Sequence, residues 1–238
     1  NGASKSLPLT RLGDIHSSDM TEPCLRKVLL RHQQKAEPVA PTALFRGLLV
    51  GKWLEYIHEY DALPVDREDL IWNDLVAELE SEGRQPSESV ERNKDQIQAD
   101  VALVSEKYVE RFMPLFRKCE VIGTELPCRT QISDIKFASH IDLMVRDTDD
   151  VFGYGKGRLL IIDWKYREDV PTRAYLARNY QFAMYWLCAL EGSIMTEPLF
   201  DVWEDFGEPA QMLWCHLPYL SPFKRKTTVK DLNGDPVV

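Results

Sequence analysis

Apolar residues recur at helical steps through the first half of the chain and at strand steps through the second. Ser17 or Ser18 can cap a helix from about Asp19 to His32. Pro41 suits the first turn of a second helix running to about Tyr60, and a third covers Arg67 to Ser81 before Gly83 and Pro86 punctuate the chain. The fourth is the clearest: Ile97, Val101, Val104, Tyr108, Phe112 and Leu115 fall at steps of three and four, on one face of a long helix. The period then changes. Glu120 to Arg129 reads as a strand. In Ile135 to Val145 the residues Ile135, Phe137, Ser139, Ile141, Leu143 and Val145 should point one way, with His140 and Asp142 on the other face. The run "RLLIIDWKY" (158–166) is nearly continuously apolar, as a strand buried on both faces requires. The turn-rich stretch Asp147 to Gly157 should join these two as a hairpin, Pro171 opens a helix to about Leu190, and a last strand covers Gln211 to Leu217. The expectation is an α/β protein: a helical N-terminal region, 1–117, and a strand-rich core, 118–238, in one continuous globular unit. No internal repeat or low-complexity segment interrupts it.

Length and composition narrow the class. A chain of 238 residues, 44% hydrophobic, can bury a substantial core. No apolar run reaches the roughly 18 residues that a membrane-spanning helix needs, and the first ten residues lack a charged start followed by an apolar run, so neither membrane nor secretory leader is expected. Five widely spaced cysteines, Cys24, Cys119, Cys128, Cys188 and Cys215, form no C-x-x-C pair and read as reduced thiols of a cytoplasmic, intracellular protein. The net charge of −9 argues at first against a nucleic-acid partner. From Glu59 to Asp95, however, twelve acidic residues stand against four basic ones, so this stretch carries −8 and the remainder is close to neutral. The stretch reads most simply as a solvated helical face, and local positive charge can still line a groove elsewhere.

Acidic residues at the ends of apolar strands are the candidate chemistry. Asp163 and Lys165 are two apart, so both project from one face of one strand, while Asp142 sits on the neighbouring hairpin strand. Two carboxylates can hold Mg²⁺, and a lysine beside them can position or activate a water, which is what phosphodiester hydrolysis requires. A salt bridge or a solvated strand edge fits the same pattern.

"SHIDLM" (139–144), "IIDWKY" (161–166) and "QFAMY" (181–185) together resemble successive motifs of the RecB-like nucleases in the PD-(D/E)XK superfamily, a branch that includes CRISPR adaptation nucleases and many phage exonucleases. The resemblance spans about Cys24 to Leu190. It implies a restriction-endonuclease-like mixed central sheet flanked by helices, and a site made from a helical His58, then Asp142, then Asp163 with Lys165, then Gln181 with Tyr185. It further implies dependence on Mg²⁺ or Mn²⁺, with the backbone carbonyl of Trp164 as an added metal ligand. His58 could equally be a surface or core histidine. Gly47, Gly51 and Leu54 precede it on one helical face, which would let the helix lie close to the sheet and carry His58 to the metal. Glu125 in "VIGTELP" stands where relatives often carry a Glu; it could hold a second metal, orient a water or be a plain strand residue. Arg167, Arg173 and Arg178 are candidate phosphate contacts, with an ordinary solvated face as the alternative. Trp53, Tyr56 and Tyr60 could stack on bases or serve the core.

The sequence departs from that pattern in places. Ser139 stands where a Gly is usual, and the segment between Asp142 and Asp163 is long. "CLRKVLL" at Cys24 is similar to the first cluster ligand of the iron–sulfur members, but after the 181–185 motif only Cys188 and Cys215 follow, so no iron–sulfur cluster is expected. The expected activity is a DNA exonuclease acting on single strands or free ends in recombination, repair or phage DNA processing, with recombination or repair proteins as partners. A structure- or sequence-specific endonuclease and a catalytically silent DNA- or partner-binding module are the alternatives.

Overall fold

A computed structural model describes residues 15–16, 39–132, 135–167, 172, 180–191, 193–194 and 209–218. The helix expected at 19–32, the start of the one expected from Pro171, and Cys24 lie outside the described residues. After the two-residue strands β1 (Ile15–His16) and β2 (Val39–Ala40) come α1 (Thr42–Tyr60), α2 (Glu68–Ser81), β3 (Gln85–Pro86), α3 (Glu88–Arg92), α4 (Lys94–Arg111) and α5 (Met113–Phe116). The strands β4 (Glu120–Ile132), β5 (Ile135–Asp147) and β6 (Arg158–Arg167) follow, then α6 (Tyr180–Glu191), β7 (Ser193–Ile194) and β8 (Pro209–Pro218). Pro41 sits at the N-cap of α1 in an extended conformation, and its carbonyl accepts the Phe45 amide at 3.0 Å. Asp61 closes the helix in the left-handed region at φ 50°.

The main sheet is mixed, in the order β7-β4-β5-β6-β8, with β1 added in parallel to β5. β4, β5 and β6 form antiparallel pairs, and β6 and β8 run parallel. The hairpin between β5 and β6 is organised by a buried carboxylate: Asp147 accepts the amides of Val151 and Phe152 at 2.8 and 2.9 Å.

β6 is apolar on both faces because both faces are covered. Leu160, Ile162 and Trp164 join the larger core with α1, α2, α4 and α5, whereas Leu159 and Ile161 pack in a second core with Tyr185 and Cys188 of α6. Three layers result: the N-terminal helices, the sheet and α6. One core cluster therefore runs through both the helical and the strand-rich parts of the chain.

The alternation expected along β5 holds only in part. Phe137, Ser139 and Ile141 are buried and His140 is exposed, but Leu143, Met144 and Val145 are all buried. Ile141 packs with Met144 in the α6 core, while Leu143 and Val145 enter the other. The faces change over at Asp142, opposite Glu125, which has a left-handed φ of 47° within β4. A local break in a pleat moves the side chains beyond it to the opposite face.

Of the twelve acids between Glu59 and Asp95, all but Glu68 are exposed, which is the solvated face that composition suggested. Among the described residues no helix is long and apolar enough to cross a membrane.

Candidate active site

The β5–β6 ladder ends at the pair Leu143↔Ile162. The next residues in register are Asp142 and Asp163, so the two carboxylates emerge where the strands part. The Asp142 Oδ2 accepts the backbone N–H of Trp164 at 2.7 Å, taking over an amide that the ladder no longer satisfies. Lys165 donates to Asp163 Oδ1 at 2.5 Å and lies 3.9 Å from Asp142 Oδ2, so one ammonium serves both acids. Asp163 is fully buried, and its Oδ2 has no hydrogen-bond partner among the described residues. On the α6 side, Tyr185 donates its hydroxyl to Asp163 Oδ1 at 3.4 Å, and Gln181 donates to that hydroxyl at 2.6 Å. Their spacing of four residues on one helix makes this relay possible.

Burial raises the proton affinity of both carboxylates. Asp163 is pushed up to about 7, first by loss of hydration and then by the charge of Asp142, against the pull of Lys165. Asp142 moves up for the same first reason, with Lys165 again opposing. Burial alone would lower Lys165, but Asp163 and Asp142 outweigh it and keep it a cation. Glu125 is raised to about 8, by burial first and then by Asp142. Burial thus acts on all three carboxyl groups and the charge of Asp142 on Asp163 and Glu125, opposed by Lys165 at the two aspartates and by Lys52 at Glu125.

Asp163 lies buried behind Lys165, while Asp142, Lys165 and Glu125 line a cavity of about 390 Å³ between α1 and the sheet. Its lining includes Gly47, Gly51, Lys52 and Glu78 from the helices, and Glu125, Asp142, Trp164 and Lys165 from the sheet. The two glycines do something other than bring helix and sheet into contact. A Cβ on Gly47 would meet nothing within 4 Å, and one on Gly51 would meet only Glu125 Oε1, at 3.9 Å. They leave space above the carboxylates. The sequence pattern singled out neither Lys52 nor Glu78. The one signal for Lys52 is its place directly after Gly51 on the same helix.

His58 stands among aromatic rings. Its Nε2 shares a 2.7 Å hydrogen bond with the Tyr108 hydroxyl, its ring stacks on Trp164 at 5.6 Å between centroids, and Phe116 meets it edge-on at 5.2 Å. Burial holds the imidazole neutral, with its pKa lowered to about 4, and Nδ1 is buried without a partner among the described residues. Trp53 is a core residue. Tyr56 and Tyr60 lie 4.5 Å apart in a separate groove of about 300 Å³ along α1 and α2, with Lys52, Arg67 and Glu78 also on its walls. Arg167 ends β6 half-buried, while Arg173 and Arg178 lie outside the described residues.

The residues present suit a small divalent cation. No three His, Cys, Asp or Glu side chains among the described residues form a ready-made cage. Mg²⁺, however, is typically bound through one or two carboxylates, completed by water and substrate phosphate. The Asp142 and Asp163 carboxylates supply that number, and the unpartnered Asp163 Oδ2 is an oxygen donor without a role in the protein's own hydrogen bonding.

A family model described as the PD-(D/E)XK nuclease superfamily matches residues 21–232, nearly the whole length, and the chain belongs to that superfamily. The mixed sheet with helices on both sides is its fold. Nucleases of this superfamily generally use divalent metals such as Mg²⁺. No curated protein matches the chain in sequence.

Proposed function

We propose that the chain is a Mg²⁺- or Mn²⁺-dependent deoxyribonuclease with a RecB-like site, acting as an exonuclease on single strands or free DNA ends. The observation that carries this reading is the register of Asp142 opposite Asp163 at the point where β5 and β6 part, with Lys165 bridging them at the floor of an open cavity. Asp142, Asp163 and the Trp164 carbonyl would hold the metal; Glu125 faces the same cavity and is suited to a second ion or a water. His58 joins the ligand set through Nδ1, or through Nε2 if it gives up Tyr108. The bound ion supplies charge neutralisation at the phosphate and lowers the pKa of a water beside it.

The chain's own side chains do the remaining work. Lys165, held by two carboxylates, orients the attacking water and presents a positive charge to the phosphate. Gln181 fixes the Tyr185 hydroxyl, and Tyr185 fixes Asp163, so the carboxylate keeps one rotamer. Arg167, Arg173 and Arg178 are assigned to backbone phosphates along the strand. The sequence carries no zinc-module or helix-turn-helix signature for reading base edges, so we assign selection to strand shape, end access and backbone charge. The biological setting we assign is intracellular recombination, repair or phage DNA processing, alongside proteins of those pathways and without an iron–sulfur cluster.

Closed circular and linear single-stranded DNA of equal length, incubated with Mg²⁺ and separately with Mn²⁺, test the reading. The linear strand should shorten progressively from one end, the circle should stay intact, and chelation should stop all cleavage. Lys165→Ala should cut turnover far more than DNA affinity. Rapid nicking of the circle would replace the exonuclease by an endonuclease with the same catalytic residues. Metal-independent failure to cleave any DNA would leave a binding module.

A further inference from the structure

We propose that Lys52 seats a phosphate of the strand next to the one being cleaved, and that the bare face of α1 at Gly47 and Gly51 is the passage by which that backbone enters. This rests on the nuclease reading above. α1 runs 19 residues, and within it the two glycines sit one turn apart on a wall of the cavity. Glycine inside a helix costs about 1 kcal/mol relative to alanine. Here no close packing accounts for that cost, because a Cβ at Gly47 would touch nothing within 4 Å and one at Gly51 only a carboxylate oxygen at 3.9 Å. What the glycines leave is room, in the cavity that Asp142 and Lys165 also line.

The cations among the cavity's lining residues are Lys52 and Lys165. Lys165 is committed to the two aspartates. Lys52 has looser partners: Glu78 at 3.0 Å and Glu55 at 3.7 Å, with its own side chain 34% exposed and Glu78's 51%. Such part-exposed pairs contribute little to stability and exchange partners readily. An ammonium has three donors, so it can take a phosphate oxygen while keeping one glutamate. Lys52 also borders the second groove, with Tyr56, Tyr60 and Arg67, so it stands at the junction of the two depressions. A backbone leaving the cleavage site toward that groove must pass it. Glu78 lies on both walls as well, and its charge opposes the phosphate that Lys52 attracts.

The opposed charges give a test with two signs. Binding of a labelled single-stranded DNA oligomer is measured against salt concentration, with Ca²⁺ replacing Mg²⁺ as a hard oxygen-seeking cation. Lys52→Ala should weaken binding several-fold and flatten the slope of log affinity against log salt by about 0.7, the value for one single-strand phosphate contact. Lys52→Arg should keep the slope, and Glu78→Gln should tighten binding. In Mg²⁺, Gly47→Leu should raise KM without lowering the melting temperature. A lysine that only ties α1 to α2 gives the opposite pattern: Lys52→Ala and Glu78→Gln lower the melting temperature alike and leave affinity and slope at the parent values. That result, with a parent that binds and cleaves, overturns this proposal alone. A parent that shows no salt-dependent DNA binding overturns it together with the nuclease reading.

Discussion

At the residue scale, the site is a set of charges that water no longer screens. Asp163 is buried beside Asp142, and loss of hydration is the largest influence on both. Replacing Asp163 by Asn removes one of two mutually repelling charges, so the metal-free protein should hold or gain thermal stability while cleavage disappears. Divalent metal separates the two proteins further. At ten times its dissociation constant, a ligand of the folded state adds about 1.4 kcal/mol, which for a chain of this size raises the melting temperature by roughly 3–5 °C. The parent should show that rise in Mg²⁺ and Asp163→Asn should not. An equal rise in both would move the metal away from Asp163. Glu125 carries a different strain, a left-handed φ of 47° that a side chain adopts at a cost. Glu125→Gly should therefore be more stable than Glu125→Ala by about 1 kcal/mol, since both lack the charge and only glycine tolerates that φ freely. Chemical denaturation of the two variants measures the difference directly.

At the element scale, α1 has two jobs on two faces. Phe45, Leu49, Trp53, Leu54 and Ile57 are buried in the larger core, and Arg46 ties the helix to α4 through Asp100 at 3.1 Å. The glycine face looks into the cavity. Because a methyl group at position 47 meets no atom, Gly47→Ala should stabilise the protein by up to about 1 kcal/mol through helix propensity and reduced freedom of the unfolded chain. A loss of stability on that substitution would show that the space above Gly47 is filled in solution. β6 is the complementary element, buried on both faces as far as Trp164, and it carries Asp163, Trp164 and Lys165 past the point where its ladder to β5 has stopped.

At the scale of the whole molecule, the helical and strand-rich halves share one core. Leu143, Val145, Leu160, Ile162, Trp164, Cys215 and Leu217 pack with apolar side chains of α1, α2, α4 and α5 in a single cluster. Among the described residues, this cluster takes members from both sides of the 117/118 boundary. Thermal or denaturant unfolding should follow one cooperative transition, coincident by far-ultraviolet circular dichroism and tryptophan fluorescence. Residues 39–117 alone would expose the apolar side of α1 and α4 and should not give a cooperative transition. Two separated transitions in the full chain would contradict the shared core.

The sequence by itself determined the periods, and with them most of the elements. The 3.6-residue recurrence of Ile97, Val101, Val104 and Tyr108 and the doubly apolar run at 158–166 each allow one kind of burial, so α4 and β6 follow from local pattern alone. It also placed Asp163 and Lys165 on one strand, two residues apart, because a strand's period is 2. Long-range register was beyond it. Asp142 stands opposite Asp163 only because the β5–β6 ladder aligns Leu143 with Ile162, and the change of faces at Asp142 depends on the backbone of Glu125 on a third strand. His58 shares a helical face with Gly47 and Gly51 by counting. Its ring nevertheless meets Tyr108, Phe116 and Trp164, which come from three other elements, while the glycines border the cavity. A helix's own periodicity states which residues share a side. What that side faces is decided by the elements packed against it, and those contacts join residues far apart in the chain.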